Sequence, residues 1–289
     1  MPVSLISPCY LYRGKKEGES DFGYGQRVAN ELEEEILNIG TEKVCAFICE
    51  PVVGATLGAV AAVDGYFKRI REICDTYGVL LILDEVMCGM GRTGTLYAHE
   101  QENIQADIMV TAKGLGAGYQ PIGAMLASDY IFDTISQGSG FFQHGHTYLG
   151  HPVACAASLA VQKYVEKNDL LSNVVLRGEQ LQAELQRSLG QNPYVGDIRG
   201  RGLFIGLELV KDRDSKEPFD PALKLNGLIK KTAMEEGLMC YPMGGTIDGR
   251  RGDHVLLAPP FIMTENHVDE IVTKLTKAIT VSLNQVATG

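Results

Sequence analysis

The chain has 289 residues, 45% hydrophobic and 21% charged, with 36 acidic against 26 basic side chains for a formal net charge of −10. This length exceeds the usual single domain, so a large domain with a smaller one attached is expected, and the ordinary composition excludes long disorder. The negative balance, with no basic stripe anywhere, excludes nucleic acid and an anionic membrane surface and favours a small-molecule ligand.

No apolar stretch approaches the roughly 18 to 20 residues of a membrane helix. Met1-Pro2-Val3 opens no charged-then-apolar leader, so the cytoplasm is the expected compartment. The seven cysteines (9, 45, 49, 74, 88, 155 and 240) contain no Cys-x-x-Cys pair and read as reduced thiols. Cys45 and Cys49 have no second pair or histidine cluster to complete a metal site, so no metal is expected.

In chain order, residues 1 to 22 read as an irregular lead-in rich in Pro, Gly and charge. Val28, Leu32, Ile36 and Ile39 recur at helical spacing, which predicts an amphipathic helix from about Gln26 to Ile39, stopped by Gly40. The run Glu31, Glu33, Glu34 and Glu35 reads as its solvated face. Val44 to Cys49 is a short apolar run that suits a buried strand. Asp64 is expected to cap a helix through Tyr77, with Phe67, Ile70, Ile73 and Cys74 on its apolar stripe and Gly78 at its stop.

Val79–Leu83, Ile108–Thr111 and Gly123–Ala127 read as further strands. Strand and helix alternation with apolar strands predicts an α/β fold with a parallel-rich sheet. A helix rich in alanine follows over Pro152 to Lys167. Another begins at Asp169, carries Val174, Leu181 and Leu185, and ends at Gly190. Beyond it come a strand over 202–210, a charged loop, a helix to about Glu236, the strands LMCYP and HVLLAPP, and a last helix from Thr264. Because this alternation is less regular, the expected division is a large domain over 1–165 and a smaller α+β domain over 166–289.

Three patterns mimic known sites. Gly89-Met90-Gly91-Arg92-Thr93-Gly94 matches G-x-G-x-x-G, but four residues separate it from Asp84 at the strand end, and TLYAHEQEN is a poor amphipathic helix for a dinucleotide site. LLILDE ends an apolar run in acids as some ATPases do, yet no phosphate-cradling G-x-x-x-x-G-K-[ST] accompanies it. His144, His146 and His151 have spacings that fit neither H-E-x-x-H nor a zinc finger, so they read as loop histidines.

Asp84 and Lys113 end two neighbouring apolar runs, which puts opposite charges at the carboxyl rim of the sheet, where ligands bind in such folds. A lysine there can carry a carbonyl as a Schiff base, and an aspartate can hold a protonated ring nitrogen; pyridoxal phosphate needs both. Spacing alone fits a plain ion pair at the rim equally well.

Taken together, EPVVGA (50–55), LLILDEVMCGMGRTG (80–94), DIMVTAKGLGAGYQPIGA (107–124), HGHTYLGHPVACAASLA (144–160), RGRGLFIGLELV (199–210) and APPF (258–261) resemble the class III pyridoxal-phosphate-dependent aminotransferases of fold type I. The blocks stand in the family's order from about residue 8 to the C-terminus. The resemblance implies that Lys113 is the Schiff-base lysine and Asp84 the partner of the pyridinium, that Val86 packs on the ring, and that Thr147 donates to the phosphate from the neighbouring subunit of a homodimer. It implies pyridoxal 5'-phosphate as cofactor, and an amine donor and a keto acid acceptor such as pyruvate as substrates.

Departures from the pattern are informative. Met87 stands where family members often have a glutamine that meets the cofactor's phenol oxygen. Ala55 and Leu256 replace the glutamate and arginine with which other members handle an α-carboxylate. Joint loss of both charges implies a pocket for amines or ω-amino acids instead of an ornithine-type substrate set. The family's longer chains also supply an N-terminal phosphate-gripping turn and a stacking aromatic that residues 1–22 lack, so the sequence reads as N-terminally truncated. Two other readings stand beside transamination: another reaction of the same scaffold, such as that of a mutase or decarboxylase, and a non-catalytic interaction protein.

Overall fold

A computed structural model of the chain describes residues 2–287. Eight helices and ten strands are assigned among them. In chain order they are α1 (Leu11–Gly14), α2 (Asp21–Ile39), β1 (Ala46–Cys49), β2 (Val52–Val53), β3 (Val60–Ala61), α3 (Tyr66–Tyr77), β4 (Leu80–Asp84), β5 (Ile108–Thr111), β6 (Ala124–Ala127), α4 (Asp129–Gln137), α5 (Pro152–Lys167), α6 (Leu170–Leu189), β7 (Val195–Arg201), β8 (Phe204–Leu209), α7 (Leu225–Glu235), β9 (Tyr241–Gly244), β10 (Asp253–Leu257) and α8 (Glu265–Ala287).

The chain divides into two compact units. Among the described residues the first comprises 2–51, 62–91 and 95–169, and the second comprises 52–61, 92–94 and 170–287. The chain passes to the second unit at Leu170, where the sequence placed a change of texture near residue 166. Two short excursions, 52–61 and 92–94, belong to the second unit although sequence order places them among residues of the first.

In the first unit the sheet order is β1-β4-β5-β6. β1 pairs with β4 and β4 with β5 in parallel, while β6 returns antiparallel to β5. Helices α2 and α3 cover one face. Val28, Leu32 and Ile36 of α2, Phe67, Ile70 and Ile73 of α3, and Leu81 and Leu83 of β4 share one core. Each such fully buried side chain contributes about 1.5–3 kcal/mol.

Helix α2 starts at Asp21 and not at Gln26, because Ser20 caps it by accepting the Gly23 N–H at 3.0 Å. Gly25 is admitted inside the helix because a Cβ there would lie 2.6 Å from Val63. Asp64 does not cap α3. Gly65, at φ +81°, takes that position with no side-chain cap, since a left-handed backbone suits glycine. The expected irregular lead-in also contains the short helix α1.

The second unit carries an antiparallel sheet, β7-β8-β10-β9, with the two-residue hairpin β2–β3 as a separate small sheet. Leu181, Leu185 and Leu189 of α6, Ile229 of α7, and Val268, Leu275 and Ile279 of α8 pack with Val255, Leu257, Ile205 and Leu207. The strand expected over 202–210 is the second arm of a hairpin whose first arm is β7. Asp169 precedes α6 with φ +48° and is not its first residue.

Candidate active site

Strand β4 ends in Asp84, which pairs in register with Val110 of the parallel neighbour β5; Lys113 follows Val110 by three residues. Both residues therefore stand at the carboxyl rim of adjacent parallel strands, the edge at which α/β sheets bind ligands. Alternation along β4 buries Leu81 and Leu83 and leaves Asp84 half-buried on the other side, and Glu85, just past the strand, is buried again.

One oxygen of Asp84 is locked in place. Its Oδ1 accepts the Val86 N–H at 2.9 Å, an aspartate turn that also fixes where Val86 lies. Oδ2 has no protein partner among the described residues, and Asp84 and Lys113 form no ion pair with each other. The plain ion-pair reading of the two charges is therefore not what the structure contains.

Lys113 opens a short 3-10 turn over Lys113–Leu115 with φ +37°, a left-handed backbone that costs a non-glycine residue about 1–3 kcal/mol and persists only where the surroundings impose it. Those surroundings are identifiable. The Ser158 hydroxyl of α5 donates to the Leu115 carbonyl at 2.8 Å, and Gln162 Nε2, one helical turn on, donates to the same oxygen at 2.9 Å. On the opposite side a Cβ at Gly114 would lie 3.0 Å from Met90. Neither Ser158 nor Gln162 was singled out from the sequence. Their i, i+4 spacing as polar residues within the alanine-rich PVACAASLAVQ is the signal that could have found them.

Beside Asp84, Glu85 is fully buried and does structural work. Its carboxylate accepts the N–H groups of Ala98 and His99 and meets His99 Nδ1, each at 2.9 Å. Those bonds, with Gly91 N–H donating to the Leu96 carbonyl at 3.1 Å, fold the glycine-rich segment into a turn. A Cβ at Gly89 would lie 2.6 Å from the Glu85 carbonyl oxygen, which accounts for glycine there without any nucleotide.

Thr147 opens an exposed turn over 147–150, and no hydrogen bond or ion pair joins it to Asp84 or Lys113 within the chain. His144 and His146 touch edge to face at 5.1 Å on the same exposed loop. No group of three or more metal-binding side chains occurs among the described residues.

A family model described as aminotransferase class-III matches residues 12–279. The chain belongs to that family. An uncharacterised aminotransferase of Schizosaccharomyces pombe is 49% identical over 96% of this chain and 61% of its own length. A diaminobutyrate–2-oxoglutarate transaminase of Halomonas elongata is 36% identical over 96% of the chain and 60% of its own. Among solved structures, an (S)-enantioselective ω-transaminase from Thermomicrobium roseum superposes with a TM-score of 0.88 at 38% identity, covering 96% of this chain and 60% of its own. The ω-transaminase of Pseudomonas jessenii in complex with PMP gives 0.89 at 37%, covering 98% and 61%. The chain thus has the fold type I architecture and spans about 60% of the length of the aminotransferases it matches.

Proposed function

We propose that this polypeptide serves pyridoxal-phosphate-dependent transamination of an amine or ω-amino acid, with a keto acid such as pyruvate as acceptor. The observation that carries the reading is the pairing at one rim of a conformationally imposed lysine with an aspartate whose outer oxygen is free. These residues fit the cofactor. Asp84 Oδ2 offers a carboxylate oxygen for a protonated ring nitrogen, and Lys113 Nζ, not engaged by Asp84, is available for a carbonyl.

When bound, pyridoxal phosphate supplies a carbonyl and an electron-withdrawing ring. Asp84 would hold the proton on the ring nitrogen, with its Oδ1 fixed by Val86 N–H so that Oδ2 keeps its direction. Lys113 Nζ would carry the carbonyl and, once displaced by the donor's amine, move a proton to and from the carbon beside the substrate nitrogen. Val86, half-buried two residues past Asp84, would pack on one ring face. Thr147 would donate its hydroxyl to the phosphate of a partner subunit.

A homodimer is part of the proposal. All four residues of β6 are exposed in the single chain, as are Tyr119, Phe132, Phe141, Phe142 and Tyr148, so this unit presents apolar surface where such a partner would pack. Apolar residues at Ala55 and Leu256 support a donor without an α-carboxylate. Leu256 is 2% exposed, a place that an unpaired arginine could occupy only at great cost. A cytoplasmic setting is proposed from the seven free cysteines. No helix among the described residues is long and apolar enough to cross a membrane.

The test is spectroscopic. Purified chain mixed with pyridoxal phosphate should develop a visible absorbance band that Lys113→Ala abolishes. No band at saturating cofactor overturns the proposal for this chain.

A further inference from the structure

The hairpin β2–β3 carries a six-residue loop, Gly54 to Ala59, that is closed at its base and fastened to a sheet. Gly58 N–H donates to the Gly54 carbonyl at 2.8 Å, and Ala59 N–H donates to the same oxygen at 3.4 Å. Arg199 of β7 donates from Nε to the Gly58 carbonyl at 2.9 Å and from Nη2 to the Leu57 carbonyl. The loop backbone rests directly on the strands. A Cβ at Gly206 of β8 would lie 2.0 Å from the Gly58 carbonyl oxygen, and a Cβ at Gly58 would lie 2.6 Å from His254 Cδ2.

The platform beneath the loop is polar and buried. Asp197, Glu208 and His254 are lateral neighbours on β7, β8 and β10, since Asp197 pairs with Glu208 and Glu208 with His254. Arg199 Nη1 reaches Glu208 at 2.8 Å and Asp197 at 3.0 Å. Glu208 is fully buried and His254 is 1% exposed. His254 Nδ1 lies 2.6 Å from Thr246 Oγ1. Burial, and then the charge of Arg199, push the imidazole down to about 4, with the Ala55 backbone acting in the opposite sense, so at neutral pH the ring is an uncharged wedge under the loop.

Nothing in the aminotransferase chemistry uses this cluster, yet the backbone it fastens is the loop that carries Ala55. With residues 57 and 58 pinned and Gly54 closing the base, Ala55 and Thr56 form the tip; Ala55 is half-buried and Thr56 exposed. Leu256 lies on the same face of β10 as His254, two residues on, opposite the face that Val255 and Leu257 give to the core.

We propose that His254, bonded to Thr246 and packed under Gly58, is a positioning residue for donor selection: it sets the height of the 54–59 loop over the sheet and so the placement of Ala55. The inference rests on the aminotransferase reading, which gives Ala55 its part in the choice of donor.

Three forms of the full chain test it: the parent, His254→Ala and His254→Gln. Amide exchange at Gly58 and Ala59 needs neither cofactor nor turnover, and the amide of Leu207 in β8 reports the sheet itself. His254→Ala should speed exchange at Gly58 and Ala59 about tenfold while Leu207 is unchanged. With a primary amine donor, KM should rise about fivefold while kcat and the visible cofactor band stay within about twofold. His254→Gln, which retains a group able to bond Thr246, should recover most of both effects. Unmoved loop exchange, equal loss of protection throughout β7 to β10, or an unmoved KM beside a normal band overturns the proposal. No band in the parent chain overturns the aminotransferase reading and the donor-selecting role with it, while the exchange data still decide whether His254 holds the loop.

Discussion

The Ser158 hydroxyl lies 2.8 Å from the Leu115 carbonyl oxygen, so a side chain on α5 holds the turn that Lys113 opens. Gln162 supports the same oxygen. Replacing both, Ser158→Ala with Gln162→Ala, leaves that carbonyl without its two donors, and lost hydrogen bonds of this kind cost about 1 kcal/mol each. A left-handed lysine is strained, so the turn should relax first. The double variant is expected to bind pyridoxal phosphate about tenfold more weakly, which is about 1.4 kcal/mol, with its far-ultraviolet circular dichroism unchanged. A cofactor titration followed in the visible band measures this; unchanged affinity refutes the role given to α5.

Glu85 gives a second expectation, one of stability. Its buried carboxylate satisfies two backbone N–H groups and the His99 ring. Glu85→Ala leaves those donors without an acceptor and is expected to destabilise by about 3 kcal/mol or more, whereas Glu85→Gln retains one acceptor oxygen and should cost roughly half of that. Urea denaturation of the three proteins gives the order, and an alanine variant as stable as the parent would refute it.

The parts that were legible in the sequence share a physical cause. LLILD and IMVT are short apolar runs buried in the middle of a sheet, and each meets a polar residue where its strand reaches the rim, so Asp84 and Lys113 stood out. Features that depend on distant contacts did not. The start of α2 was hidden by Gly23 and Gly25, which look like helix breakers until Val63 is seen packed against the second. β7 was missed because VGDIRGR carries Asp197 and Arg199, which read as solvated but serve a buried cluster. β2 and β3, two residues each, are too short for any periodicity.

His254 makes stability depend on pH. Its folded value of about 4 lies below the ordinary 6.5, so the neutral ring is favoured by folding. The contribution is therefore fully present above pH 6.5 and is lost as pH falls through about 4. The displacement corresponds to about 3 kcal/mol. Thr246 bonds the ring, the charge of Arg199 acts on it, and Glu208 is its cross-strand neighbour. Denaturation midpoints of parent and His254→Gln between pH 7 and pH 4 should converge as the solution becomes acidic, because only the parent loses this contribution. Parallel curves would show that His254 titrates no differently in the folded and unfolded chains.

The substrate reading rests on two apolar residues that replace two charges. Leu256→Arg alone puts a guanidinium at a position 2% exposed, and an unpartnered buried charge costs about 3–5 kcal/mol. Ala55→Glu alone changes a half-buried loop tip beside the exposed Thr56 and should be tolerated. If the two positions face one another as the family's pattern implies, the new carboxylate meets the new guanidinium, and the double variant should be more stable than the sum of the single changes by about 1 kcal/mol or more. The same pair restores a site for an α-carboxylate, so donor preference should move from simple amines toward α,ω-diamino acids. Four-member stability cycles and donor profiles together check this. Additive stabilities with an unmoved profile would separate Ala55 from Leu256 and remove the ground for assigning an amine or ω-amino acid donor.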